Sequence, residues 1–116
     1  MFKILTKKEL NPTVVLMEID APLVAKKAEP GQFIILRTDE NGERIPLTVA
    51  DFNRKKGSVT IIFQVAGATT YKLAQMKKGD YLHDFVGPLG KKTHTDGLKK
   101  VAVVGNELYV GKAQGA

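Results

Sequence analysis

Hydrophobic and polar positions along this chain form short runs in which apolar residues alternate with polar ones. The runs are rich in β-branched and aromatic residues and are bounded by Gly, Pro, Asn and Asp, a pattern typical of strands. Six such runs predict six strands, at residues 2–5, 13–19, 32–37, 45–51, 58–65 and 81–86.

The close spacing of these runs predicts an all-β domain, either an antiparallel barrel or a sandwich. Closure into a barrel removes exposed sheet edges, which favours the barrel. Asp39 to Gly42 predicts a hairpin-type connection between the third and fourth strands. Pro46 indicates a strand start, an edge or a bulge, because proline cannot donate a hydrogen bond inside a sheet.

One short helix is predicted between the fifth and sixth strands. Residues 71–76 provide about two turns, and either Thr69 or Thr70 is a suitable N-cap. Gly79 ends the helix, after lysines that interact favourably with its C-terminal end.

The last part of the chain has a different pattern. Val101 to Val104 is a continuous apolar run, which is typical of strands buried on both faces of a parallel sheet. Eleven residues follow Gly105, whereas a strand–helix–strand unit needs about 30. We therefore predict a first domain at 1–98 and, at 99–116, a lone strand that begins a truncated nucleotide-binding domain. This strand is expected either to pack on the barrel or to pair with a second copy of the chain.

Composition restricts the available chemistry. The 116 residues fit one domain, and they include no cysteine, which excludes a disulfide, a thiolate zinc site and a cysteine-bound cluster in this chain. His83 and His94 are the two histidines, so no metal site is predicted.

The chain shows neither a signal-peptide pattern nor an apolar run of about 18 residues, the length that spans a membrane. A soluble, cytoplasmic protein is expected.

The net charge of +6 comes largely from paired lysines such as Lys7-Lys8 and Lys77-Lys78. Most pairs fall at predicted turns, which indicates solvated loops. The same lysine pairs are also compatible with binding to an anionic cofactor, to an acidic protein or to a nucleic acid. Charge alone does not choose among these interpretations.

Three segments carry candidate chemistry. Arg44 to Asp51 combines a guanidinium that can pair with phosphate and a hydroxyl, Thr48, that can bind a planar ring. Gly67 to Ala74 combines a glycine, which permits close approach of a ligand, with a helix start that favours an anion. Gly87 to Gly90 predicts a compact turn directly after the last strand. Each pattern alone also occurs for structural reasons.

Together these segments, RIPLTVAD, QVAGATTYKLA and DFVGPLG, resemble the ferredoxin–NADP+ reductase superfamily. Within it, the chain is similar to the alpha subunit of the bifurcating ferredoxin–NADP+ reductase, also called the sulfide dehydrogenase beta subunit. That subunit is akin to the electron-transfer subunit of dihydroorotate dehydrogenase. The resemblance covers residues 1 to about 105 and implies a six-stranded antiparallel Greek-key barrel, with one short helix, that binds FAD.

The resemblance also implies roles for individual residues. Arg44 would face the FAD pyrophosphate, and Leu47 and Thr48 would lie against the isoalloxazine ring, with Thr48 near its N5. Pro46 is a further candidate, and backbone contacts are expected from Val49, Ala50 and Asp51. The ribityl or adenosine side would be lined by Phe63, Gln64 and Val65, and the pyrophosphate would be received at the helix start by Gly67, Thr69 and Thr70. Candidates for the domain interface or the pyridine-nucleotide side are Gly87, Pro88, Leu89, Gly90 and Lys91.

Two features depart from the family pattern. In plant-type reductases the arginine stands three residues before the hydroxyl residue, and a tyrosine stacks on the flavin. Here Arg44 stands four residues before Thr48, and Leu47 takes the position of the aromatic ring. Flavin stacking is therefore expected to be weaker or to be supplied by a residue elsewhere. After Gly105, the family's glycine-rich loop for the pyridine nucleotide does not follow.

The function implied by the resemblance is electron transfer between NAD(P)H, FAD and an iron–sulfur or flavoprotein partner subunit. The isolated chain is expected to retain a partial FAD site and to oxidise little NAD(P)H. Two alternatives remain open: a small basic barrel that binds RNA or an acidic protein, and a structural remnant without a ligand. The aromatic residues are few and are not interleaved with the basic ones, which argues against nucleic acid.

Overall fold

A computed structural model describes residues 1–90 and the backbone of two further strands, Lys100–Val104 and Glu107–Gly111. In residues 1–90 the strands are β1 (Phe2–Asn11), β2 (Val14–Asp20), β3 (Phe33–Arg37), β4 (Ile45–Asn53), β5 (Ser58–Gln64), β6 (Tyr81–Leu82) and β7 (Asp84–Leu89). Helix α1 (Pro22–Lys27) follows β2, and helix α2 (Ala68–Ala74) follows β5. The two C-terminal strands are β8 and β9.

Strands β1 to β7 form one antiparallel sheet in the order β6-β1-β2-β5-β4-β3-β7. Strands β3, β4 and β5 follow one another as hairpins, and β2 lies beside β5, which is a Greek-key arrangement. At the two edges, β6 pairs with β1 and β7 pairs with β3. Because His83 alone separates β6 from β7, the two edges meet and the barrel is nearly closed. The antiparallel barrel predicted from the sequence is confirmed.

Two elements differ from the prediction. The sixth run forms two strands, since the chain leaves the β1 edge at Leu82 and joins the β3 edge at Asp84. The N–H of His83 donates to the carbonyl of Arg37 at 3.0 Å, at the crossing point. Helix α1 was not predicted: it has a proline in its first turn and buries Val24.

Helix α2 is confirmed, but it begins and ends earlier than predicted, with Gly67 as its N-cap and Gln75, not Gly79, at its C-terminal end. Neither Thr69 nor Thr70 is the N-cap residue. Instead, the hydroxyl of Thr70 accepts hydrogen bonds from the backbone N–H groups of Ala66 (2.9 Å) and Gly67 (3.2 Å). A single side chain therefore orders the turn that leads from β5 into the helix.

The interior of the barrel is filled by inward-facing strand residues such as Ile4, Met17 and Ile34, all fully buried. Phe52, Val59, Ile61 and Phe63 contribute to the same core. A second, smaller buried group consists of Val14, Ala50 and Ile62. Ile62 lies between two inward-facing residues of β5, so this group lies on the outer face of the sheet.

Strands β8 and β9 form an antiparallel hairpin whose backbone lies near β4 and β5. The predicted strand at Val101 to Val104 is therefore present within β8, while its partner β9 was not predicted. The predicted boundary near residue 98 falls outside the described residues, as does Lys91, so the division into two domains stays a prediction. Self-association through Val101–Val104 also stays a prediction.

Glu18 of β2 is the centre of a polar cluster. Its carboxylate accepts hydrogen bonds from Lys56 Nζ (2.9 Å), Ser58 Oγ (2.7 Å) and Thr6 Oγ1 (3.2 Å). Burial disfavours the ionised carboxylate, but the three donors outweigh this effect and hold the pKa of Glu18 below its ordinary value of 4.5.

Acid is therefore expected to weaken the fold through Glu18. A lowered pKa in the folded state contributes stability above the unfolded pKa, and this contribution is lost as the pH falls from 4.5 through the lower folded value. Glu18→Gln should reduce the free energy of unfolding by about 1 kcal/mol at neutral pH and flatten its dependence on pH below about pH 5. Urea titrations at several pH values measure both effects. Glu9→Gln, at an exposed position of β1, is the control, and an unchanged pH profile in Glu18→Gln contradicts the prediction.

Candidate functional site

Strand β4 changes its neighbour halfway along its length. Residues 45–48 of β4 pair with β3, whereas residues 49–53 of β4 pair with β5. Strand β5 meanwhile continues beside β2 through Gln64. The first half of β4 and the end of β5 therefore diverge. Within the described part of the chain, the edge of β4 that faces β5 has no strand partner from residue 45 to residue 48.

Thr48 directs a backbone donor to this open edge. The N–H of Val49 donates to the carbonyl of Gln32 at 2.9 Å, on the β3 side. Because N–H directions alternate along a strand, the N–H of Thr48 points to the other side. The backbone nitrogen of Pro46 points to the same open edge. Because proline has no N–H group, it leaves no unpaired donor there. Of the three positions predicted for Pro46, a strand start, an edge or a bulge, the structure shows a strand start, since Pro46 is the second residue of β4.

The side chains of β4 alternate between the core and solvent. Val49 is buried, and Leu47 is half-buried against the core. Arg44, Pro46 and Thr48 are exposed. Leu47 and Thr48 consequently point to opposite faces of the strand, and Thr48 carries the hydroxyl that an external ligand can reach. Further along the strand, Ala50 lies in the buried outer group and Asp51 accepts the N–H of Phe52 at 2.8 Å.

The start of α2 lies beside the turn that leads into β4. Thr69 Oγ1 donates to Glu43 Oε2 at 3.0 Å, and Lys72 forms an ion pair with Asp39. The open cavity between turn and helix has a volume of about 200 Å³ and is lined in part by Gly42, Glu43, Ala68 and Thr69. Because Glu43 directly precedes Arg44, the cavity lies beside the start of the segment 44–48. The cavity and the adjoining open edge of β4 are together called the groove.

The turn itself, residues 39–43, is held by its own hydrogen bonds. The N–H of Gly42 donates to the Asp39 carbonyl at 3.0 Å, and the N–H of Asn41 donates to the Asp39 carboxylate at 3.0 Å. The hydrogen bond from Lys72 is the main reason that the pKa of Asp39 lies below its ordinary value. The hairpin-type connection predicted here is confirmed.

The predicted contacts along β5 need a correction at Phe63. Its side chain is 1% exposed and lies in the barrel core, so it is not available to line the ribityl or adenosine part of a cofactor. Gln64 is exposed, and Val65 is half-buried with its N–H donated to the carbonyl of Thr13 at 2.7 Å. The predicted cofactor contacts of Gln64 and Val65 stay predictions.

The Gly87–Gly90 segment is not the compact turn that was predicted. Gly87, Pro88 and Leu89 belong to β7, which pairs with β3 and has an irregular register at this point. Phe33 of β3 stands opposite both Leu89 and Thr48, so Leu89 lies about 10 Å from Thr48, two strands away. The segment is extended because it closes the barrel against β3. The carbonyl of Gly90 accepts a hydrogen bond from Gln32 Nε2 at 3.0 Å.

Arg44 lies at the edge of a charged cluster. Arg37 of β3 forms an ion pair with Asp84 of β7. The pKa of Asp84 is lowered, mainly by this hydrogen bond from Arg37 and further by the charges of His83 and Arg44. Arg44 is thus close enough to Asp84 to interact with its charge, and it is exposed at the entrance to β4.

Glu43 and Lys72 were missed by the sequence analysis. Both are charged residues in or beside a recognised segment, but a charge next to a motif is too common to indicate a role. Their significance depends on the contact between the 39–43 turn and α2, and that contact joins residues 26 and 33 positions apart.

Two possibilities find no support in the described residues. No group of three or more His, Cys, Asp or Glu residues there is arranged to hold a metal ion. Equally, none of the helices described is long and apolar enough to span a membrane.

The fold and its groove define a barrel of the ferredoxin-reductase type. A solved structure of an NADH-dependent reduced ferredoxin–NADP oxidoreductase, described in relation to flavin-based electron bifurcation, matches with a TM-score of 0.79 and 41% identity. The match covers 81% of this chain and 34% of that chain. The chain therefore belongs to the ferredoxin–NADP+ reductase-like family.

Sequence relatives agree with this assignment. The chain is 41% identical over 108 residues to a dihydroorotate dehydrogenase B (NAD(+)) electron transfer subunit homolog of Thermotoga maritima, covering 93% of this chain. It is 58% identical over 90 residues, 78% of its length, to an uncharacterized protein in the adh 3' region of Clostridium beijerinckii. It is 37% identical over 92 residues, 77% of its length, to the dihydroorotate dehydrogenase B electron transfer subunit of Desulforamulus reducens.

The chain spans 38%, 30% and 35% of the length of these three relatives, in the order given. No protein-family model matches the chain.

Proposed function

We propose that this chain supplies the FAD-binding barrel of a flavin-dependent electron-transfer subunit. The observation that carries the proposal is the 3.0 Å contact between Thr69 and Glu43, which holds the turn that leads into residues 44–48 against the start of α2. A dinucleotide is long enough to contact both segments. Family membership and relatives named electron transfer subunits support a flavin as that dinucleotide.

The groups along the groove suit FAD. The open edge at Thr48 offers an N–H and an exposed hydroxyl to the polar edge of a flavin ring. The exposed guanidinium of Arg44 can offset pyrophosphate charge. A Cβ atom on Gly67 would meet no atom within 4 Å, so the backbone there is open to close approach by a ligand. Thr69 supplies a hydroxyl donor. Thr70 accepts the N–H of Gly67 and so fixes the backbone of Gly67 at the start of the helix.

When bound, FAD supplies the one- and two-electron chemistry of the reaction. The residues of the barrel bind and orient the cofactor: Thr48 holds the ring edge, and Arg44 neutralises phosphate charge. In the complete enzyme we assign NAD(P)H as the hydride partner and an iron–sulfur or flavoprotein subunit as the electron partner, in a soluble cytoplasmic complex. A boundary near residue 98, with residues 87–91 on the pyridine-nucleotide side, belongs to the same proposal.

Arg44 provides the direct test of this site. Arg44→Gln should weaken FAD binding about tenfold, because one charge-assisted contact with the pyrophosphate is lost. Binding of riboflavin, which has no phosphate, should change less than about twofold. Quenching of flavin fluorescence during titration measures both. Lys8→Gln removes the same charge from an exposed position of β1 and is the matched control.

Two results would contradict the proposal. One is equal FAD affinity in Arg44→Gln and wild type. The other is the absence of flavin binding together with salt-dependent retention of an oligonucleotide, which would favour a nucleic-acid-binding barrel.

A further inference from the structure

The 39–43 turn places carboxylates against the groups that an anionic ligand needs. Glu43 Oε2 accepts a hydrogen bond from Thr69 Oγ1 at 3.0 Å, and Asp39 forms an ion pair with Lys72 one helical turn further along α2. Both contacts border the same cavity of about 200 Å³. The donor and the cation at this end of the groove are thus each engaged by an acid from the turn.

We infer that Glu43 competes with the phosphates of the bound nucleotide and sets the affinity of the groove for them. This inference rests on the proposed FAD site. The hydroxyl of Thr69 has a single proton, so it cannot donate to a phosphate while it donates to Glu43. A carboxylate at this distance also repels a phosphate that approaches the same hydroxyl. The ligand must displace the Glu43 side chain before it binds Thr69.

The rest of the turn is suited to remain in place during this exchange. Asp39 is held by the N–H groups of Asn41 and Gly42 and by Lys72. A Cβ atom on Gly42 would lie 3.0 Å from Thr38 Oγ1, which shows how closely the turn is packed. Glu43 itself is exposed, so its side chain can rotate into solvent without opening the core. The exchange is therefore a rotation of one side chain.

The competition distinguishes ligands by their phosphate charge. A ligand with a pyrophosphate experiences the full repulsion, whereas a flavin without phosphate does not approach Glu43. Glu43 thus lowers the affinity for FAD selectively. Screening by salt should reduce the effect, because the carboxylate is exposed.

The experiment compares Glu43→Gln, Glu43→Ala and Glu40→Gln with the wild type, using FAD and riboflavin as probes. Glu40 is exposed in the same turn, so Glu40→Gln is matched in charge and location. Glu43→Gln and Glu43→Ala should bind FAD about three- to tenfold more tightly at low salt, with a smaller gain at about 0.5 M salt. Riboflavin affinity, and both affinities of Glu40→Gln, should change less than about twofold. Thermal melting of each variant confirms that it is folded.

The outcomes separate this inference from the proposed function. Unchanged or weaker FAD binding by a folded Glu43→Gln, with wild type binding FAD, would overturn the competition and leave the FAD site intact. An equal gain for riboflavin or in Glu40→Gln would also overturn it, because the effect would not depend on the phosphate or on Glu43. If neither wild type nor any Glu43 variant binds FAD, the proposed site and the inference both fail. FAD binding that is detected in the Glu43 variants alone supports both.

Discussion

Replacing Phe63 with alanine is expected to lower the free energy of unfolding by about 3–5 kcal/mol. Phe63 heads the set of largest fully buried side chains, at 1% exposed, and its ring lies in the barrel core. Alanine leaves a cavity that the surrounding strands cannot close without breaking their pairing. A domain of this size is stable by about 5–15 kcal/mol, so the loss is a large part of the total. Urea unfolding followed by circular dichroism measures it.

Two other variants sharpen this test. Phe63→Leu keeps most of the volume and should lose less than about 1.5 kcal/mol. Tyr71→Ala removes an aromatic side chain that is 59% exposed and should change stability by about 0.5 kcal/mol at most. Phe63→Leu should also retain FAD binding. A marked loss of FAD binding in a stable Phe63→Leu would indicate that the side chain of Phe63 contacts FAD, and would contradict its placement in the core.

Replacing Gly87 with alanine is expected to cost about 2–3 kcal/mol of folding stability. A Cβ atom there would lie 2.8 Å from Ile34 Cγ2 and 3.2 Å from the Phe33 carbonyl, and the residue has a φ of +157°, which side chains rarely adopt. Ile34 is fully buried and cannot move aside. Chemical denaturation measures the loss.

Gly67→Ala is the matched control for Gly87→Ala. Gly67 has an extended backbone, with φ −175°, and open space around the added methyl group, so its folding stability should change by less than about 1 kcal/mol. In contrast, its FAD affinity should fall, because the methyl group occupies the space proposed for the phosphates. A Gly87→Ala protein as stable as Gly67→Ala would show that β7 does not press against β3 at this residue.

The contrast between these glycines changes the interpretation of the third sequence motif. Gly87 allows β7 to lie close to β3, and β3 also pairs with the first half of β4. Gly87 therefore has a structural role in the barrel, two strands away from Thr48. The predicted role of the segment at a domain interface remains a prediction beside this structural one.

The two threonines of the second motif show where sequence reasoning reached its limit. Adjacent threonines before a helical run predict a capped helix start, and the helix is present. The sequence treats Thr69 and Thr70 as equivalent. In the structure Thr70 accepts two backbone N–H groups, whereas Thr69 contacts Glu43. The difference arises from the position of the 39–43 turn, which is distant in sequence.

From the sequence alone, six strand-forming runs of the barrel, the apolar run of β8, helix α2, the hairpin at Asp39 to Gly42 and the three motifs could be identified, and the motifs indicated the family. These features depend on local alternation, on turn residues and on spacing, all of which can be read from the order of residues along the chain. Alternation along 58–65 predicted a strand with two faces, but it did not show that Phe63 faces the core.

Tertiary structure alone decided which strands are neighbours. It divided the run at 81–86 between two edges, separated the first half of β4 from β5, and placed Glu43 against Thr69. Each of these results depends on pairing between residues far apart in the chain, such as Phe33 with both Thr48 and Leu89. A period-two pattern carries no information about such partners, because every strand of an antiparallel sheet has the same alternation whichever strand lies beside it.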